Sequence, residues 1–312
     1  MKSKNMNYVF NVEYFEGMNL LANTEDNKET IKNRNDAIKS FTFKEKAPYE
    51  VWSEISGYQE FSAFSLYPGL LIGTGNPHSI AVDGASKLGF MFDYVTGLPY
   101  IPGSSLKGMI RAYFPGDTAD KEKDKEYKAL IEGLLPDSAK GIDILELKRD
   151  MFEGEDIFLG AFPKADGPLL DMDYITPHKK FKNPNPISFI KVRPGVEFVF
   201  SAVFSDFKES GTGTVLLKAA DKAELCKQLI LLFGIGAKTN VGYGKFSLEK
   251  PVGNELLPAE NKIGKKKPPK NNRPQEGKFV PRCKDCGKES GFYPDGKPKR
   301  FCSKCYLKNK KG

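Results

Sequence analysis

Eleven consecutive residues limit the possible folds of this chain more than any other stretch: Gly234-Ile235-Gly236-Ala237-Lys238-Thr239-Asn240-Val241-Gly242-Tyr243-Gly244. They follow an apolar, helix-like run and lead into the strand-like Lys245-Phe246-Ser247-Leu248. Four glycines in eleven residues bare backbone N–H groups that side chains would otherwise shield, and Lys238, Thr239 and Asn240 add donors suited to phosphate oxygens. A glycine fingerprint for nucleotides follows a strand and opens a helix. Here the order is reversed, which excludes a P-loop or dinucleotide turn and predicts contact with an RNA backbone through Gly234, Gly236, Lys238, Thr239, Asn240, Gly242, Tyr243 and Gly244.

At 312 residues the chain is long enough for one large or two ordinary domains with a real core. There is no apolar run of about 18 residues, and Met1-Lys2-Ser3-Lys4-Asn5 lacks the apolar core of a signal peptide, so the expectation is a cytoplasmic protein without a membrane partner. The net charge of +8 is unevenly spread: residues 261–312 carry 17 Lys/Arg against 4 Asp/Glu, a net +13, and residues 1–260 carry 31 against 36, a net −5. The main body must therefore hold any polyanion in a local groove rather than by its overall field.

Three regions follow: a main domain over residues 1–255, a basic Pro- and Lys-rich linker over 256–281, and a small C-terminal module over 282–312. Within the main domain the polar stretches Leu21–Lys46 and Gly116–Glu126 read as surface insertions, the first with room for a short helix. Phe61–Leu66 and Pro68–Gly73 read as a strand pair. Ser104 or Ser105 can cap a helix through Leu106, Met109, Ile110 and Tyr113. Ile157–Phe162, Leu169–Ile175 and Val196–Phe204 read as strands. A second helix is expected from about Leu216 to Phe233, with Leu225, Leu229 and Leu232 on one side and Gly234 as its stop. Val241–Leu248 is the last strand. The essential order is β-α-β-β-α-β, an α+β, ferredoxin-like pattern with insertions, and that pattern names no function by itself.

Four of the five cysteines form Cys283-x₂-Cys286-x₁₅-Cys302-x₂-Cys305. Two thiolate pairs at that spacing can converge tetrahedrally on one Zn²⁺, and a closed Cys₄ shell makes the metal structural. The module, a zinc ribbon, holds too few apolar residues to fold readily without metal. Disulfides would require an oxidising compartment that the N-terminus does not suggest. Its lysines could touch nucleic acid or an acidic protein face, or be solvated. Cys226 reads as a small buried hydrophobe.

A second anion-friendly element is Pro102-Gly103-Ser104-Ser105-Leu106-Lys107-Gly108 running on to Arg111. A Gly/Ser-rich turn opens a helix whose free N–H groups attract anions, while Lys107 and Arg111, four apart, share a face. The alternative is that Ser104 acts only as a cap, with Lys107 pointing to solvent. The two histidines, His78 and His178, are the right type for a metal-independent ribonuclease, yet no sequence feature brings them together. Asp171 and Asp173 alternate at a strand end in a way that could bind Mg²⁺. Tyr100, Tyr113 and Tyr243 could stack on bases, although tyrosines are also ordinary core residues.

These motifs resemble those of the RAMP superfamily of CRISPR effector proteins, which carry a Pro-Gly-Ser-Ser-x-Lys-Gly helix start and a C-terminal glycine-rich loop on a ferredoxin-like RNA-recognition fold. Within it, Phe158-Leu159-Gly160-Ala161-Phe162-Pro163, Asp173-Tyr174-Ile175-Thr176-Pro177-His178 and Pro186–Val192 resemble the family of sixth subunits of type III-B (Cmr) complexes. The resemblance spans roughly residues 58–248. It implies a non-catalytic structural subunit that binds and caps the 3′ part of the CRISPR RNA guide in antiviral defence. The implied partners are the guide, other Cmr-type RAMP subunits and target RNA, with no catalytic residue. The zinc module departs from that family's pattern. The alternative from the residues is an endoribonuclease that trims CRISPR RNA with His78 or His178.

Overall fold

The computed structural model of the chain describes residues 3–73, 75, 76, 78–116, 120–165, 167–176 and 186–252. The chain divides into two units, residues 1–262 and 263–312, and the described residues all fall in the first. The expected zinc ribbon, with Cys283, Cys286, Cys302 and Cys305, and most of the linker lie outside the described residues.

The strands that organise the fold are β1 (Tyr58–Ser65), β2 (Ile101–Pro102), β3 (Ile157–Pro163), β4 (Leu170–Ile175), β5 (Ile187–Val192), β6 (Glu197–Val203) and β7 (Phe246–Ser247). Five of them form one antiparallel sheet in the order β7-β1-β6-β3-β2, and β4 pairs with β5 as a hairpin. β6 runs through the middle with Phe198, Val199, Phe200, Ser201 and Ala202 all buried. A strand covered on both faces needs a continuous apolar run rather than alternation, and Phe-Val-Phe-Ser-Ala supplies it. Phe61 of β1 lies opposite Phe200 of β6, with the rings stacked at 4.8 Å.

The helices of six or more residues are α1 (Met6–Asn11), α2 (Glu25–Ser40), α3 (Gly103–Arg111), α4 (Lys121–Leu134), α5 (Ile144–Glu153) and α6 (Ala219–Phe233). α3 and α6 cover the same sheet face: Leu106 and Ile110 from α3 and Cys226 and Ile230 from α6 meet Phe61, Phe158 and Phe200 around a residual void of about 30 Å³. The main path is thus β1-α3-β3-β6-α6-β7. Taking its strands as first to fourth, they stand across the sheet as 4-1-3-2. Lys222 of α6, fully buried, donates to Asp156 at 2.7 Å and to Asp150, tying α6 to α5 and to the approach of β3. A lysine in that position is tolerated because both carboxylates face it.

Several expectations change. Leu21–Lys46 is not a surface insertion with a short helix: α2 has 16 residues, is capped by the Thr24 hydroxyl accepting from Asn27 N–H, and buries Ile31 and Ile38. Those isoleucines are seven apart, two turns on one side, which is enough to anchor an otherwise polar helix. Pro68–Gly73 forms no strand; its one ladder contact is the bridge Leu70↔Val192. α6 begins at Ala219 because Val215–Leu217 are extended, and Leu232 is 53% exposed rather than on the buried side. The last strand shrinks to Phe246–Ser247, since Thr239–Val241 form a turn of 3₁₀ helix.

Candidate nucleic-acid interface

The helix wall of the site starts two or three residues earlier than a cap at Ser104 or Ser105 would place it. Pro102 is the N-cap of α3 in an extended conformation, and the helix begins at Gly103 without a side-chain cap. Gly103 sets the placement: a Cβ there would lie 1.8 Å from the carbonyl oxygen of Phe158, so only glycine lets α3 lie this close to β3. Ser104 and Ser105 therefore sit in the first turn and not at the cap. Leu106 and Ile110 turn into the core, Ser104 is exposed, and Ser105, Gly108 and Met109, spaced i, i+3 and i+4, share another face.

The loop wall is held by its own backbone. Ile235 N–H donates to Gly244 O at 2.8 Å, Gly244 N–H to Gly69 O at 2.8 Å, Ala237 N–H to Leu71 O at 2.7 Å and Gly242 N–H to Thr239 O at 3.1 Å. Lys238 takes the left-handed conformation, φ 61°, just before the 3₁₀ turn. Among the described residues, the N–H groups of Gly236, Thr239 and Asn240 have no protein acceptor.

Tyr243 anchors this loop from beneath. It is only 6% exposed, and its hydroxyl donates to Asp173 Oδ2 at 2.7 Å, the same oxygen that receives Lys191 Nζ at 2.6 Å. Burial alone would raise the Asp173 pKa, but the bonds from Lys191, Tyr243 and the Tyr174 N–H outweigh it and hold the carboxyl below its ordinary range. Burial, and then that carboxylate, push the Tyr243 phenol up. Asp173 is thus committed to Lys191 and Tyr243, and Asp171 accepts from the Met172 N–H at 2.8 Å. Among the described residues no cluster of three His, Cys, Asp or Glu could hold a metal.

The two walls enclose a groove of about 520 Å³. Ser105, Gly108 and Met109 line one side, and Gly234, Gly236, Ala237 and Thr239 line the other. At its base Tyr113 stacks on Phe233 with ring centroids 3.7 Å apart and 14° between planes. Ile72, Gly73 and Met91 close one end. The groove therefore pairs free N–H groups and a hydroxyl with an apolar, aromatic floor, which suits a sugar–phosphate chain with its bases turned aside.

The structure brings together Ser105, Gly234, Gly236 and Thr239 of the expected residues. Lys107, Arg111, Lys238 and Asn240 are outside the lining, with Arg111 3.4 Å from the Glu153 carboxylate. Gly242, Tyr243 and Gly244 support the loop rather than face the groove. Tyr100 stacks on Phe162 at 5.2 Å. Gly108, Met109 and Phe233 were not expected as lining; counting three and four residues on from Ser105 would have found the first two. His78 is exposed, its ring 4.7 Å from that of Phe15 and its backbone N–H donated to Asn76 Oδ1. His178 lies outside the described residues.

An antiparallel sheet with two helices on one face, whose second helix returns to the last strand through a glycine-rich loop, defines a mixed α/β protein with its open groove at the helix ends. The RAMP superfamily model matches residues 65–247, more than half of the chain, and the chain belongs to that superfamily. It is similar to the CRISPR system CMR subunit Cmr6 of Saccharolobus solfataricus, 25% identical over 169 residues, which are 52% of this chain and 49% of that protein. The chain thus spans about half the length of this curated relative. Among solved structures, it is similar to a chain of the type III-B Cmr-beta complex bound to cognate target RNA, with 23% identity, 75% of this chain and 77% of that one covered, and a TM-score of 0.43. Cmr6 from Pyrococcus furiosus matches with 22% identity over 64% of this chain and all of that one, with a TM-score of 0.37. Among the described residues no helix is long and apolar enough to cross a membrane.

Proposed function

We propose that this chain is a non-catalytic structural subunit of a type III-B CRISPR ribonucleoprotein, binding and capping the 3′ part of the guide RNA in antiviral defence in the cytoplasm. The observation that carries the reading is the convergence of Ser105 and Gly108 with Gly236 and Thr239 on one groove. Two sequence motifs more than 100 residues apart supply its two sides. A groove of backbone N–H groups holds phosphates without reading sequence, as a guide binder must when spacers differ. The lateral strand order 4-1-3-2 supports reading the sheet as ferredoxin-like. Membership of the superfamily and the likeness to a Cmr subunit support the choice of complex, with other Cmr-type RAMP subunits and target RNA as partners. The acidic balance of residues 1–260 fits a subunit that needs its neighbours to complete the path of the guide.

The C-terminal module completes the proposal as a zinc ribbon, with Cys283, Cys286, Cys302 and Cys305 holding one structural Zn²⁺. Metal analysis of the purified chain should find one zinc per chain, released by chelator with loss of that module's fold alone.

The deciding experiment is purification of the tagged chain from its host, with sequencing of the RNA and mass spectrometry of the proteins that come with it. Short RNAs with a common repeat-derived 5′ end and varied spacers, together with RAMP-type subunits, are expected. Recovery of neither from cells that express such RNAs overturns the reading. Incubation of the chain with repeat RNA in EDTA tests catalysis, and a defined cleavage product that disappears in a His78 or His178 variant would establish the endoribonuclease instead.

A further inference from the structure

A second groove, of about 650 Å³, lies beyond the end of the first and has a different chemistry. Its walls include Asn7, Tyr8, Asn11, Asn76, Phe90 and Tyr94. Among its described lining residues, none carries an ionisable side chain other than tyrosine. Neither groove is lined by a cation among the described residues, so charge does not distinguish them; the side-chain amides of Asn5, Asn7, Asn11 and Asn76, which the first groove lacks, do.

The asparagines are set in a fixed orientation. Asn11 Nδ2 donates both to Asn7 O and to Asn7 Oδ1, each at 2.9 Å. That double bond of one amide to its i−4 neighbour dictates which atoms remain: Asn7 Nδ2 as donor and Asn11 Oδ1 as acceptor, neither with a protein partner among the described residues. A donor beside an acceptor matches the hydrogen-bonding edge of a nucleobase. Beside them Tyr8 is 50% and Tyr94 82% exposed. The loop bearing Tyr94 is fixed: Asn5 Nδ2 donates to Tyr94 O at 2.9 Å, and Asp93 accepts from both the N–H and hydroxyl of Thr96 at 2.7 Å. Aromatic faces carried on a fixed backbone and left open to solvent are stacking platforms for unpaired bases.

The two grooves share a wall. Gly73 and Met91 border the first, and Gly75, Asn76 and Phe90, one to three residues away on the same two segments, border the second. We propose that the second groove is a subsite for one nucleobase of a single-stranded RNA whose backbone lies in the first, held by the Asn7–Asn11 pair and stacked on Tyr8 or Tyr94. This rests on the reading of the first groove as an RNA site.

The test scans 4-thiouridine through a single-stranded RNA bound to the full chain and maps photo-crosslinks by mass spectrometry. Crosslinks from one or two adjacent positions to the peptides bearing Tyr8 or Tyr94 are expected. Tyr94→Ala and Asn11→Ala, both at exposed positions, should melt like the parent and weaken binding by about tenfold. An abasic nucleotide at the crosslinking position should shrink that difference to below about twofold. RNA that crosslinks only to residues 103–111 and 234–244, with Tyr94→Ala binding normally, overturns the subsite and leaves the proposed function standing. No RNA bound by the chain, either alone or in the assembly purified with it from its host, overturns both. A Tyr94→Ala chain that keeps RNA but loses a protein partner identifies the groove as a protein-docking surface and overturns the subsite.

Discussion

The two walls of the first groove use glycine for opposite purposes. On the loop wall Gly244 has φ +68°, and a Cβ there would lie 1.8 Å from the Ile235 carbonyl oxygen. On the helix wall a Cβ added at Gly108 meets nothing within 4 Å. One glycine lets the backbone close on itself, and the other keeps space open for something else. A glycine in the middle of a helix costs about 1 kcal/mol relative to alanine. A fold that carries Gly108 without any packing need is therefore less stable than it could be at a position that lines the groove.

The largest expected effect breaks the loop wall. Gly244→Ala combines left-handed strain with a backbone clash and should lower stability by about 3 kcal/mol or more, read as a fall in melting temperature; melting like the parent would break the contrast. Next, Asp173→Asn leaves Lys191 buried without its counter-charge and should cost about 3 kcal/mol in denaturant unfolding at neutral pH. Because the folded Asp173 pKa is lowered, its contribution is fully present above the ordinary value of 3.8 and is lost as pH falls below it, through the folded value. The gap between Asp173→Asn and the parent should accordingly narrow on acidification below 3.8, and a gap that stays constant there would place the effect elsewhere.

Smaller effects sharpen the contrast on the helix wall. Gly108→Leu should leave the melting temperature unchanged or raised while weakening RNA binding about tenfold, or ~1.4 kcal/mol, in a titration with labelled single-stranded RNA. Gly133→Ala is its control: this helical glycine of α4 also has nothing within 4 Å of its added Cβ and lies off both grooves. It should gain about 0.5–1 kcal/mol with RNA binding unaltered. If Gly108→Leu and Gly133→Ala behave alike toward RNA, the groove is not the binding surface.

Much of the sheet was legible in the residues. Ile157–Phe162, Leu169–Ile175 and Val196–Phe204 match β3, β4 and β6 within a residue or two, because apolar runs between turn signals have few other ways to be buried. α2 was obscured because Ile31 and Ile38 are its only fully buried side chains, and two residues set too weak a period against fourteen largely polar ones. The site was half legible. Ser105, Gly234, Gly236 and Thr239 reach the groove, while Lys107 and Arg111 do not. The sequence gives the spacing of side chains around α3 but not its rotation about its own axis. That rotation is set by the contact between Gly103 and Phe158, which are 55 residues apart. Phe233 was read as the end of a core helix, and only its stacking on Tyr113 places it in the groove floor.

The Asp173 carboxylate has a mechanical consequence. It grips Lys191 within the β4–β5 hairpin and Tyr243 in the glycine-rich loop, 70 positions further along the chain from Asp173. The same two segments are also joined through residues 69–71, which bridge Val192 of β5 and accept from Gly244 and Ala237 of the loop, so the carboxylate adds a side-chain clamp to a backbone one. Loss of the carboxylate should therefore loosen the hairpin and the loop together, read as faster amide exchange in both.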